Sequence, residues 1–228
     1  MNHPIRIVLL LLLLLPVACA QLPEIVPAPL PPNAIRPACD CGLIFPRGNW
    51  QFLHALEATV PGGKKQTILG LSQISSRDRS IHCVMMTIEG MVLFEADYDG
   101  AIEIKRALPP FDKPGIAEGI IEDLRLIFFV PELPHRETGT RTRSERVCRY
   151  PLPGGGAEDI EIDSDDRWTI YKYNRRNRVI RTVQSKNERA ESTRGMPSQI
   201  TLEAHGLTGY RLHLSLIEAT PVTNQTKR

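Results

Sequence analysis

The stretch MVLFEADYDGAIEIKRALPPFDKPGIAEGIIEDLRLIFFVP, residues 91–131, changes its hydrophobic period midway, and that change decides the fold. Val92, Phe94, Ala96 and Tyr98 alternate with Glu95 and Asp97, and Ile102 and Ile104 alternate with Glu103 and Lys105. Successive strand side chains point to opposite faces, so each segment reads as a strand with one dry and one wet face. Between them Asp99-Gly100 has the chemistry of a type I′ hairpin turn, whose central residues need positive φ. Beyond Pro109 and Pro110 the period becomes helical. Ile116, Ala117, Ile120, Ile121, Leu124, Ile127 and Phe128 fall on one stripe, with Glu118, Glu122 and Arg125 off it. Asp112 is the expected cap, Pro114 suits the first turn, and Pro131 stops the helix.

Period two continues on both sides. WQFLHALEATV places Phe52, Leu56, Ala58 and Val60 on one face, and PGGKK turns the chain into QTILGLSQI and then SIHCVMMTI. After the helix, ELPHRETGTRTRSER is polar throughout and reads as a loop. Strands resume as VCRYPL, EDIEID, RWTIYKYN, RVIRTVQ, SQITLEAH and YRLHLSLIEA; in the last, Tyr210, Leu212, Leu214 and Leu216 alternate with Arg211, His213 and Ser215. The count is about eleven strands and one helix, without βαβ spacing or an internal repeat. The expected fold is mainly β, a strongly curved antiparallel half-barrel wrapped around the helix.

The N-terminus is an address. Arg6 precedes an apolar run from Ile7 to Leu15, too short to span a bilayer and right for a secretory signal. Two cuts compete. Ala18 before Cys19 fits a lipobox, although Pro16 stands where such boxes place Leu; Ala18 and Ala20 form an A-x-A site before Gln21. QLPEIVPAPLPPNAIRP then carries six prolines in seventeen residues, the composition of an extended spacer. The expected divisions are 1–19 signal and lipobox, 20–46 Pro-rich tether, 47–220 half-barrel and 221–228 tail.

Export makes the cysteines readable. Cys19 is removed or acylated, leaving Cys39, Cys41, Cys83 and Cys148 as an even set with three possible pairings. Cys83 with Cys148 is preferred because both lie in strand-like segments, which would leave Cys39 and Cys41 to close a small ring. The alternative for Cys83 is a buried free thiol.

The charges and motifs exclude more than they propose. A formal net charge of +2 implies neither nucleic acid nor a strongly acidic partner. His54, His82, His135, His205 and His213 have no metal-ligand spacing, and neither a nucleophile elbow nor a phosphate loop occurs. No catalytic residue, metal or cofactor is expected. Arg136, Arg141, Arg143 and Arg146 in the polar loop, and Arg175, Arg176, Arg178 and Arg181 near a hairpin, are basic groups that anionic lipid headgroups would attract. Neither is interleaved with aromatics for stacking bases.

CVMMTIEGMVLFEADYDG, ALPPFDKPGIAEGIIEDLRLIFF and SQITLEAHGLTGYRLHLSLIEA together resemble an uncharacterised family of bacterial outer-membrane lipoproteins with a LolA/LolB-like fold, often encoded near aryl polyene lipid genes. The resemblance covers roughly Trp50 to Ala219 and rests on spaced patterns. It implies a half-barrel closed by helix, with an apolar concavity that takes acyl chains. It also implies lipid anchoring at Cys19 in the outer membrane, facing the periplasm, against the alternative of a soluble periplasmic or secreted chain. The expected role is carrier or acceptor in lipid or lipoprotein transfer, with an acyl lipid or lipidated molecule as partner and other envelope transport proteins as candidate partners. Phe52, Leu56, Phe94, Ile104, Ile120, Leu124, Leu212 and Leu214 are the candidate cavity lining. The alternative is a non-enzymatic structural or assembly accessory in which the helix fills the concavity.

Overall fold

A computed structural model describes residues 20–27, 41–59, 62–63, 65–142, 144–186, 196–206 and 209–222. Twelve strands form one antiparallel sheet: β1 (Asn49–Thr59), β2 (Lys65–Ser75), β3 (Ser80–Met86), β4 (Val92–Tyr98), β5 (Ile102–Ala107), β6 (Glu137–Arg141), β7 (Ser144–Pro151), β8 (Ala157–Ile162), β9 (Trp168–Tyr173), β10 (Val179–Lys186), β11 (Gln199–Ala204) and β12 (Tyr210–Pro221). Their order is β5-β4-β3-β2-β1-β12-β11-β10-β9-β8-β7-β6. Every strand lies beside its sequence neighbour except β5 and β6, which form the two edges. The helix α1 (Ile116–Phe128) connects those edges, so the sheet stays open and α1 lies in its concavity. Eleven strands fall on the segments expected. β6 is the addition, and it occupies part of the stretch read as a loop.

Alternation becomes a core because register aligns the dry positions. Leu212, Leu202, Val183, Ile170, Ile160 and Cys148 are successive partners from β12 to β7. All but the half-buried Leu212 are sealed from solvent. On the other half Phe52 continues through Ser72, Cys83 and Ala96 to Ile104. The small buried side chains of Ser72, Cys83 and Ala96 leave depth for α1. Gly70 gives room in the same way to the Leu56 side chain, whose Cδ1 would lie 2.6 Å from a Cβ there.

The helix starts later than expected. Gly115, with φ 81°, precedes its first turn and no side chain caps it, so Asp112 is not the cap. A left-handed backbone favours glycine at this position.

The disulfide joins Cys41 to Cys148, not Cys83 to Cys148. Seven strands separate β3 from β7, which puts Cys83 beyond the reach of any partner in β7. Cys83 is a buried free thiol whose pKa burial pushes up to about 12. Cys39 and Cys19 lie outside the described residues, and a Cys39–Cys41 ring is ruled out by the bond that Cys41 makes. Cys41–Ile44 forms a 3-10 turn, and Cys41 and Phe45 are buried in the core, so this end of the expected tether belongs to the folded unit.

The tether's first residues are docked as well. Residues 20–27 run as a strap over the convex face of β6 to β9, and Val26 exchanges two backbone hydrogen bonds with Thr140 (2.8 and 3.0 Å) on the open edge of β6. Under the strap, Arg149 grips Asp159 with Nε and Nη2 (2.7 and 2.8 Å), and Arg141 Nη2 adds a third bond at 2.9 Å. Asp159 is wholly buried on a face that would otherwise meet water. Arg149 and Arg141 also donate to the Pro23 carbonyl, at 2.7 and 3.3 Å. Charge-assisted bonds of this kind are the strong ones, and here they fasten a proline-rich segment that has few N–H groups of its own. Arg141 is thus an internal ion-pair partner and not part of a free basic loop.

Candidate functional site

The concavity holds α1 by an apolar face and a polar flank. Ala117, Ile121, Leu124, Ile127 and Phe128 are buried beneath it. Phe128 stacks on Phe52 with ring centroids 5.0 Å apart and planes at 10°, and Trp50 stacks on the far side of Phe52 at 5.9 Å. His54 lies 6.1 Å from Phe52 and 6.2 Å from Phe128 between ring centroids. Burial lowers its pKa to about 4, so the imidazole is neutral at pH 7.

The flank is a row of ionic fastenings. Asp123 is buried within the helix and accepts hydrogen bonds from Arg181 Nε, at 2.9 Å, and from the Tyr210 hydroxyl. Burial raises its pKa, against the pull of both donors. Next to it in the helix, Glu122 accepts a hydrogen bond from Lys172 at 2.5 Å, and Lys172 lies 3.8 Å from Glu158, whose pKa burial raises. At the C-terminal end Arg125 pairs with Glu132 and sits 5.2 Å over the Tyr98 ring. Arg79 donates to the Val130 carbonyl at 2.9 Å and covers the Phe129 ring at 5.0 Å.

Beside α1 a cavity of about 730 Å³ opens between the two halves of the sheet. That volume lies in the range of small-molecule sites, about 300–1,000 Å³. Ile102, Ile121, Leu126 and Phe129 supply apolar wall, Glu122, Arg125, Glu158 and Lys172 supply charge, and the β7–β8 and β9–β10 turns contribute Leu152, Pro153, Asn174 and Arg175. Among the described residues no cluster of three or more His, Cys, Asp or Glu is placed to hold a metal ion. No helix among them is long and apolar enough to cross a membrane.

The eight residues expected to line an acyl cavity are not its walls. Phe52, Leu56, Phe94, Leu124 and Leu214 are buried in the core, Ile120 and Leu212 pack against it half-buried, and Ile104 is 51% exposed on edge strand β5. The reason is that α1 occupies the concavity and takes these residues as packing partners. The charged walls were missed, yet the alternation shows two of them: Lys172 shares the dry face of β9 with Trp168 and Ile170, and Glu158 that of β8 with Ile160 and Ile162. A charge at an inward position was the available signal. Asp123 carried a similar one, three residues beyond Ile120.

No family model and no curated protein matches the chain. A putative outer membrane lipoprotein-sorting protein domain from Vibrio parahaemolyticus aligns at a TM-score of 0.45 and 12% identity, over 83% of this chain and 92% of that one. A LolA superfamily protein, NE2245 from Nitrosomonas europaea, aligns at a TM-score of 0.55 and 11% identity, over 81% of this chain and 91% of its own. The architecture, an open curved antiparallel sheet with a helix in its concavity, is therefore LolA-like.

Proposed function

We propose that this protein is a non-enzymatic carrier or acceptor for an acyl chain or lipidated molecule, held by a lipid on Cys19 at the periplasmic face of the outer membrane. The observation that supports the reading is the construction of α1: an apolar plug in an unclosed sheet, fastened at its flank by Arg181, Tyr210 and Lys172 and by its own Arg125 over the Tyr98 ring. A plug held by polar contacts can lift as a unit, exposing an apolar groove beneath. Burying an acyl chain there returns about 0.8 kcal/mol per methylene, which offsets the exposed helix face. The signal-like N-terminus supports the envelope address.

The second reading, an accessory protein with a permanently filled core, is favoured by the Phe52–Phe128 stack. Titration with a fluorescent fatty acid separates the two. The carrier binds saturably, and Asp123→Ala tightens apparent affinity because a larger fraction of molecules is open. Absence of binding in both proteins would leave the accessory reading.

A further inference from the structure

We propose that the β9–β10 turn, residues 174–178, is a docking surface for an anionic phospholipid bilayer. Arg175, Arg176 and Arg178 are exposed on this one turn, and among the described residues no acid pairs with them. Glu122 and Glu158, which line the same cavity as Arg175, face Lys172. Three cations on a turn five residues long repel one another, and an anionic surface relieves that repulsion.

The tip is rigid. Asn174 Oδ1 accepts the backbone N–H groups of Arg176 and Arg178 at 2.9 and 3.1 Å, and Asn177 takes the left-handed backbone, φ 55°, that the turn needs. Presenting the guanidinium groups from a stiff turn lowers the ordering cost of docking.

A second observation, which rests on the proposed lipid at Cys19, selects a membrane over other polyanions. Asn177 Nδ2 donates to the carbonyl of Ala20 at 2.9 Å, so the strap begins on this turn. The residue before Ala20 is Cys19. An acyl group on that cysteine enters the bilayer beside the three arginines, and one hydrophobic and one electrostatic attachment act at the same point. Stable anchoring generally takes two such signals. Arg175 also walls the cavity beside α1 with Leu152 and Pro153, so docking sets that opening towards the lipid. The proposal goes beyond the carrier reading and does not require α1 to move.

The test is co-sedimentation of the unacylated chain from Ala20 onward, which holds every described residue, with vesicles of phosphatidylcholine alone or mixed with phosphatidylglycerol. The mixed vesicles are expected to bind it, and added salt to weaken binding. Each arginine is worth about a fivefold change in partitioning, so Arg175→Gln, Arg176→Gln and Arg178→Gln combined should lower it about a hundredfold. Lys186→Gln, at the other end of β10 from the turn, should leave it unchanged. Equal binding to both vesicle types, or wild-type binding by the triple variant, would overturn the proposal. Fatty-acid titration of the Arg176→Gln, Arg178→Gln double variant, which leaves the cavity wall intact and is expected to match wild type, keeps this outcome separate from failure of the carrier reading.

Discussion

The Arg181 guanidinium reaches across the concavity to the Asp123 carboxylate, Nε to Oδ1 at 2.9 Å, and ties β10 to the middle of α1. Asp123→Ala leaves Arg181 and the Tyr210 hydroxyl without their shared acceptor in a largely buried site. Breaking such a pair costs about 3 kcal/mol. The loss should be local first. Amide hydrogen exchange is expected to accelerate in α1 well before β8 to β11, and uniform acceleration would show that Asp123 supports the whole sheet instead.

His54 gives the fold an acid sensitivity. Its folded pKa of about 4 lies below the ordinary value of 6.5, so its contribution is fully present above pH 6.5 and is lost as pH falls towards 4. The whole effect is about 3 kcal/mol, of which about 2 should be gone by pH 5. Asp123 and Glu158, whose pKa values are raised, act in the opposite direction on acidification. Urea unfolding of wild type and His54→Leu at pH 7 and pH 5 isolates the histidine. The difference between the two proteins should shrink in the variant's favour at pH 5, and an unchanged difference would refute the assignment.

The Cys41–Cys148 bond closes a sequence separation of 107 residues. Chain-entropy arguments place the loss on opening such a loop at about 5 kcal/mol. Cys148→Ser should lower the denaturant midpoint accordingly and remove its dependence on reductant, whereas Cys83→Ala should keep that dependence. The Cys83 thiol, with its pKa near 12, should react with a thiol reagent only on unfolding. Fast labelling of the native protein would contradict its burial.

Gly139 lies where the strap crosses β6, and a Cβ there would overlap the Val26 carbonyl oxygen. Because the obstacle is backbone, Gly139→Ala should lift residues 20–27 and free the Arg149–Asp159 pair to water. Limited proteolysis is expected to cut the strap faster in this variant while the sheet resists. Gly70→Ala meets only the end of the flexible Leu56 side chain and should leave strap cleavage at the wild-type rate.

The comparison between pattern and structure turns on particular residues. Alternation identified eleven strands because each buries one face, and that constraint is local. β6 escaped because Glu137–Arg141 has no apolar alternation: its inward partner is the half-buried Thr138, and its outer edge is covered by the strap. The stripe on α1 was equally readable, but nothing along the helix shows what holds Asp123 buried, because its partners Arg181 and Tyr210 come from distant strands.

Hydrophobic period alone therefore sets the elements, their wet and dry faces, and the switch from strand to helix at residues 107–116. Tertiary structure decided which cysteine meets Cys148, that the helix fills the concavity, that charged side chains wall the opening, and that a proline-rich segment lies on the sheet. These outcomes depend on pairing between residues up to 157 positions apart, as Ala20 and Asn177 are. Local pattern carries no record of such pairs, since a buried charge is stable only when its distant partner arrives.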